Sequence, residues 1–338
     1  MKRISLLVIL LIASAVFAGI RWDFNGDLKV NLQDVGLVSA KIGLATGGSG
    51  WDSRYDLDSN GVIDSLDVAI VVKYLNITDN MALVPAGEFI MGGKISVMPD
   101  TIHVYLDSFF IDKYETTVQE YVEFLNNGNA ADYYYDEQRK PIFQKGDSFF
   151  VSPGSAKLPI NNLTWDAANR YCKSRGKRLP TFAELEKAAR GTDGRKYTWG
   201  NAIADSGMTN FNYRCDTTYM NRYPNQNMDS ICVWSWLYTH PESVGSYGQD
   251  VSPYGVYDLC GNVSEWSNDW KDPSKVPNYY WLLIDARHNP KGAPTGTVKL
   301  SKGGTYADYQ TKVTTFWSYL TGDPLIYRSQ GLGVRCAY

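Results

Sequence analysis

Two stretches near the N-terminus put oxygen-bearing side chains at alternating positions. They are Asp23-Phe-Asn25-Gly-Asp27-Leu-Lys29-Val-Asn31-Leu-Gln-Asp34 and Asp56-Leu-Asp58-Ser-Asn60-Gly61-Val62-Ile-Asp64-Ser-Leu-Asp67, which start 33 residues apart. In each, loop positions 1, 3, 5, 9 and 12 carry a carboxylate or an amide, and position 7, Lys29 or Val62, offers its backbone carbonyl. Hard oxygens wound around a turn in this alternation suit Ca2+. The second loop has a glycine for the sharp turn, Gly61, where the first has Leu28. Val30 and Ile63 at position 8 are β-branched and fit a short strand pairing the loops. The plainer alternative is a pair of solvated turns.

Elsewhere the reactive residue types are dispersed. His103, His240 and His288 lie far apart, with no pair at the spacing of helical metal ligands, and there is no nucleophile elbow or phosphate loop. Cys215 and Cys232 lie 17 residues apart in a polar, aromatic segment and form a candidate disulfide pair. Cys260 is then unpaired, and its neighbour Leu259 argues for a buried, inert thiol.

Behind each loop runs one apolar helix, Val35 to Ile42 and Val68 to Leu75. The repeat, the aspartate at position 12 and the missing entry helix resemble a type I dockerin module over about residues 22–76. That resemblance implies calcium-dependent folding and docking onto a cohesin domain of a secreted or surface protein. Partner choice would be read at positions 10 and 11, Leu32-Gln33 and Ser65-Leu66, whose difference argues against two equivalent faces. Gly43 to Gly50 reads as a flexible connector.

A second pattern begins at Met81. Strand-like alternation leads to a helix capped by Thr117 and Glu120, a second helix from Trp165 to Ser174 behind Thr164, and a third from Thr181, boxed by Glu184, to Gly191. The runs Glu115-Thr-Thr-Val-Gln-Glu-Tyr, Leu163-Thr-Trp-Asp-Ala-Ala-Asn-Arg-Tyr-Cys172, Gly176-Lys-Arg-Leu-Pro-Thr181, Tyr197-Thr-Trp-Gly200, Gly255-Val-Tyr-Asp-Leu-Cys-Gly-Asn-Val-Ser-Glu-Trp266, Lys302-Gly-Gly-Thr-Tyr306 and Gly333-Val-Arg-Cys336 follow in order. Over about 81–338 they resemble the formylglycine-generating enzyme (sulfatase-modifying factor) family. The implied fold class is α+β, an irregular C-type lectin-like domain with little regular secondary structure, preceded here by a small all-α calcium module.

The resemblance carries further expectations. Family oxidases bind copper(I) through a cysteine pair just upstream of the closing motif, because soft thiolates select that ion. This chain has no cysteine between Cys260 and Cys336, and the pair would fall near Val313 and Trp317, so no copper is expected. One family calcium site maps onto Asp258, the Gly261 and Val263 carbonyls, and Glu265, unless Glu265 simply caps the loop. A second would begin at Asn210 and the Phe211 carbonyl. The family's disulfide corresponds to Cys172–Cys336, worth on the order of 4 kcal/mol by chain entropy. Tyr306, Tyr309, Phe316, Trp317, Tyr319 and Tyr327 lie where the enzymes hold substrate and form a candidate glycan or protein surface, or else core.

The 338 residues suit two domains, and 33 basic against 36 acidic side chains disfavour nucleic acid. Residues 1–18, with Lys2 and Arg3 ahead of an apolar run ending at Ala18, read as a signal peptide rather than an anchor, with no membrane span after cleavage. Residues 19–80 then hold nine Asp and no Glu against five Lys or Arg, so the acid surplus sits where a cation would bind. The expected organisation is residues 1–18 signal, 19–77 calcium module and 81–338 large domain, secreted, cell-surface or periplasmic. The expected role is docking plus glycan or protein binding; the alternative is a protein-modifying enzyme at the same cleft.

Overall fold

The structure, a computed structural model, describes residues 22–26, 30, 32–73, 80–93, 101–130, 141–212, 239–271, 287–320 and 322–338. The chain divides into two units, Met1–Pro85 and Ala86–Tyr338, so the division falls a few residues beyond the expected start at Met81.

In the first unit, α1 spans Leu32–Ser39 and α2 spans Ser65–Lys73, and they pack together through buried Val38, Ile63 and Val71. Both helices start earlier than their apolar stripes because they grow out of the loops. Asp64 accepts the Leu66 amide at 2.6 Å while Asp67, three residues on, accepts the Asp64 amide at 2.7 Å, a capping box built from two loop positions. The stretch expected to be a flexible connector is folded instead. Gly43 N donates to Ile63 O, Ile63 N to Leu44 O and Thr46 N to Gly61 O, each at 2.8 Å, so position 8 of the second loop pairs with the connector. Glycines there serve turns, with positive φ at Gly43, Gly47 and Gly50. Strand β1, Met81–Val84, ends the unit.

The second unit is α+β. Strands β2 (Gly87–Gly92) and β3 (Thr101–Leu106) form an antiparallel ribbon, followed by β4 (Phe109–Asp112). Helix α3 (Val118–Asn126) has the expected Thr117/Glu120 capping box, and its Val118, Tyr121, Val122 and Leu125 stripe is buried. Hairpin β5–β6 (Ile142–Lys145, Ser148–Val151) precedes α4 (Trp165–Ser174), N-capped by Thr164, and α5 (Phe182–Arg190), boxed by Thr181 and Glu184. The central sheet runs in the order β10-β7-β8-β9, from Leu332–Gly333, Ser264–Trp270, Lys299–Lys302 and Ser318–Leu320. The main core gathers α3, α4, Trp266 and the Cys172–Cys336 bridge, whose Cα atoms are 5.6 Å apart. Cys260 is free and buried, as expected. Cys215 and Cys232 lie outside the described residues.

Helix α5 is buried along its whole length despite its charges. Glu186 takes Arg190 and Lys302 at 2.8 Å each and also accepts the Gly92 amide at 2.5 Å, so two cations share one buried carboxylate. The Phe182 ring faces the Lys302 ammonium at 4.2 Å and disperses part of the excess charge. At the other side of the sheet, the Lys299 ammonium sits 4.0 Å from the Trp165 ring and 3.8 Å from the Trp270 ring. Burial lowers its pKa to about 8, against the pull of Asp269.

A base whose folded pKa lies below its unfolded one binds fewer protons when folded, so stability rises with pH across the interval between them. For Lys299 that interval runs from about 8 to the ordinary 10.5. Lys187 shifts to about 8 as well and Lys302 moves the same way. Melting of the large domain is expected to rise across this window, and Lys299→Met to flatten part of the rise; an unchanged slope would mean that Lys299 keeps its proton on folding.

Candidate metal centres

The two repeated loops are built alike around their last aspartate. In the first, Asp34 Oδ1 accepts the amides of Phe24 at 2.7 Å and Asn25 at 3.3 Å; in the second, Asp67 Oδ1 accepts those of Leu57 at 2.6 Å and Asp58 at 3.3 Å. Both aspartates are fully buried, so position 12 draws positions 2 and 3 back over the loop. Asp23 holds the Gly26 amide at 2.7 Å, and Asp56 holds those of Asn60 and Gly61 at 3.1 and 3.0 Å. Gly61 takes φ +89°, the left-handed conformation for which its residue type was noted. Val62 N donates to Asn60 Oδ1 at 2.8 Å, which fixes the backbone at position 7.

Asp56, Asp58 and Asp67 bring ligand oxygens within 4.8 Å of one another, the one such group of three acidic, His or Cys ligands among the described residues. Three converging carboxylates repel one another without a cation, and an all-oxygen donor set suits Ca2+. Asp23, Asn25 and Asp34 of the first loop are placed as expected, while Asp27, Lys29 and Asn31 lie outside the described residues.

The large domain has a second concentration of buried acids. Asp258 and Asn262 adopt left-handed backbone, and a Cβ on Gly261 would stand 2.5 Å from Asn210 O and from Thr209 Oγ1, so only glycine fits there. Asp258 accepts the Gly245 amide at 2.6 Å. Glu265 Oε1 is held by Arg335 at 2.8 Å, which commits one oxygen of this expected ligand to an ion pair. Glu115, absent from the expected ligand set, accepts Val263 N at 3.0 Å and Asn262 Nδ2 at 2.7 Å and so clamps the loop from 147 residues away.

Burial, and then Asp250, push the Asp258 carboxyl up to about 7. Burial, then Asp258 and Glu265, push Glu115 well up. Asp258, Glu115 and Glu265 thus face a single guanidinium, Arg335. This surplus of negative charge fits a hard cation, which would need the Gly261 and Val263 carbonyls to complete its shell.

Asn210 donates to Asn262 Oδ1 and to His240 O, at 3.0 Å each, and so ties the expected second site to the first. The Phe211 ring is core, packed with Tyr197, Ala204, Cys260 and Val313.

The aromatic set divides. Tyr306 packs with Val263 and Ala307, and Phe316 lies under the Arg190 guanidinium with Gly93 against its ring. These two are buried and cannot stack on a ligand, which corrects the expectation for them; small neighbours such as Gly93 leave room for the ring to turn inward. Tyr309, Trp317 and Tyr319 are half-buried and Tyr327 is exposed. Lys312 lies over the Tyr309 ring at 4.6 Å and the Trp317 ring at 5.7 Å, and the Tyr319 hydroxyl donates to Asp308.

Sequence comparison agrees with this division of the chain. The sulfatase-modifying factor enzyme 1-like domain matches residues 71–338, and the dockerin type I domain matches 21–76. Among curated proteins, the chain is 31% identical over 240 residues to the serine/threonine-protein kinase pkn1 of Chlamydia pneumoniae, covering 68% of this chain and 33% of that one. It therefore spans about a third of the length of the kinase-named relatives it matches. It is 27% identical over 286 residues to the formylglycine-generating enzyme of Thermomonospora curvata, covering 70% of this chain and 85% of that one. Among solved structures, PvdO from Pseudomonas aeruginosa superposes with a TM-score of 0.52 at 19% identity, over 76% of this chain and 93% of that one, a likeness of fold.

Proposed function

The chain belongs to the sulfatase-modifying factor enzyme 1-like family and carries a type I dockerin domain, and on that premise we propose that it is a secreted, calcium-loaded component of a larger assembly. Dockerin domains bind calcium and dock onto cohesins. In this reading the dockerin attaches the chain to a cohesin-type domain of a secreted or surface scaffold, and the large domain is the cargo, used to bind a glycan, such as a polysaccharide, or a protein. The observation that carries the docking half is the convergence of Asp56, Asp58 and Asp67, with the matching use of Asp34 in the first repeat.

Calcium would be held by Asp23, Asn25, Asp27, Lys29 O, Asn31 and Asp34 in one loop and by Asp56, Asp58, Asn60, Val62 O, Asp64 and Asp67 in the other. One further ion would sit at Asp258, Gly261 O, Val263 O and Glu265, and a second near Asn210. The ion neutralises the carboxylates and so lets Asp34 and Asp67 stay buried while they cap the loops. Removing calcium is expected to unfold the dockerin. In hydrogen exchange followed by mass spectrometry, residues 32–73 should lose protection in chelator and regain it with calcium; protection that survives chelation would remove calcium from the account of this module.

The cargo half rests on the absence of cysteine between Cys260 and Cys336, which leaves no thiolate pair for copper(I) in this reading. Tyr309, Trp317, Tyr319 and Tyr327 are the rings available for ligand contact. A cohesin pull-down and a glycan array, each run with calcium and with chelator, test the two halves; no calcium-dependent partner in either would sink the proposal. The likeness to formylglycine-generating enzymes favours a second reading, in which the same cleft modifies a protein. It requires oxygen consumption with a cysteine-containing sulfatase-type peptide, and none would exclude it.

A further inference from the structure

We propose that the two calcium loops of the dockerin bind their ions cooperatively, coupled through a clasp between Phe24 and Tyr55; this rests on the calcium reading of both loops. The two rings lie 4.9 Å apart and nearly parallel, at 16°. Phe24 is position 2 of the first loop, and its own amide is one of the two that Asp34 Oδ1 accepts. Tyr55 immediately precedes Asp56, position 1 of the second loop. Each ring is therefore one peptide bond from a first ligand, Asp23 or Asp56, and the stack joins the mouths of the two loops.

The Tyr55 ring is also met by the Lys41 ammonium at 5.8 Å and the Arg54 guanidinium at 5.7 Å. Arg54 is held to Asp52 at 2.7 Å, and Lys41 stands just beyond the end of α1, the helix that grows from the first loop. A second strap runs along the backbone. The segment Gly43–Thr46, which leaves α1, pairs with Gly61–Ile63, positions 6 to 8 of the second loop. Ordering either loop around an ion fixes one side of both contacts, so the ordering cost falls once and the other loop's ion binds to a partly arranged site.

The loops differ in readiness, which sets the order of filling. The second has Gly61 in its turn and three carboxylates already converging, whereas the first has Leu28 at the turn position. The second loop fills first, and the first loop gains the coupling.

Calcium titration calorimetry on the full chain tests this, with Asp23→Ala disabling the first loop so that the remaining step is assigned to the second. In the native chain two ions should bind in a steep, overlapping isotherm. Phe24→Ala should lower first-loop affinity about tenfold and separate the steps, while second-loop affinity stays within about twofold. Phe24→Tyr, which keeps a ring, should restore the native isotherm. In the Asp23→Ala background, Phe24→Ala should add nothing. Two independent steps in the native chain, an unaltered first-loop affinity in Phe24→Ala, or a Phe24→Tyr variant that behaves like alanine would each overturn the coupling and leave calcium binding intact. Absence of heat at both loops would overturn calcium binding itself, and the coupling with it.

Discussion

Replacing Arg335 with methionine is expected to cost the large domain about 3–5 kcal/mol of stability, the range for removing one partner of a buried ion pair. Arg335 is fully buried; besides Glu265 it serves the carbonyls of Asp112 at 2.9 Å and Tyr257 at 2.7 Å. Glu115 and Asp258 add their charge to the same guanidinium. Methionine fills similar volume but leaves Glu265 buried and unpaired beside two other acids. The denaturant midpoint of the domain should therefore fall, and the double variant Arg335→Met/Glu265→Gln should recover part of the loss because it removes the stranded charge. A double variant no more stable than Arg335→Met alone would mean that the lost carbonyl contacts and packing, not the unpaired charge, carry the cost. Added calcium should stabilise Arg335→Met more than the native domain if the ion binds at Asp258 and Glu265, since each added positive charge then counts for more.

Converting Cys172 and Cys336 to serine should cost about 4 kcal/mol, because the bridge removes loop entropy from an unfolded chain across a separation of 164 residues. For a domain of this size that corresponds to roughly 8–16 °C in melting temperature. The bridge fastens the C-terminal segment to α4, where Asp112 N also bonds Cys336 O at 2.9 Å and Ala337 exchanges backbone bonds with Arg178 at 2.8 and 2.9 Å. Scanning calorimetry under oxidising conditions would measure the loss; a fall below about 4 °C would show that these backbone bonds fasten the segment unaided.

The helices and their ends were legible because their determinants are local. Thr117 with Glu120 and Thr181 with Glu184 each satisfy helix-end amides within four residues, so the capping boxes form where the residue types stand. The loop spacing was legible for the same reason, since positions 1 to 12 fold back on themselves. The exposure of aromatic rings was not. Tyr306 and Phe316 are of the same residue types as Tyr309 and Trp317, and what buries the first two is a neighbour distant in sequence: Val263 for one, Arg190 and Gly93 for the other.

By itself, the sequence determined that the chain has two repeated oxygen-ligand loops, a larger α+β domain after them, and the cysteines of one bridge. All of these depend on residue type at short spacing or on motifs kept in order along the chain. Tertiary structure alone decided that the glycine-rich connector is pinned to the second loop, that Phe24 meets Tyr55, and that Glu115 clamps the Asp258 loop beside Arg335. These contacts join residues 15 to 220 positions apart, and their energy comes from the removal of water around charges and rings. No local pattern encodes which distant partner will be there when the water leaves.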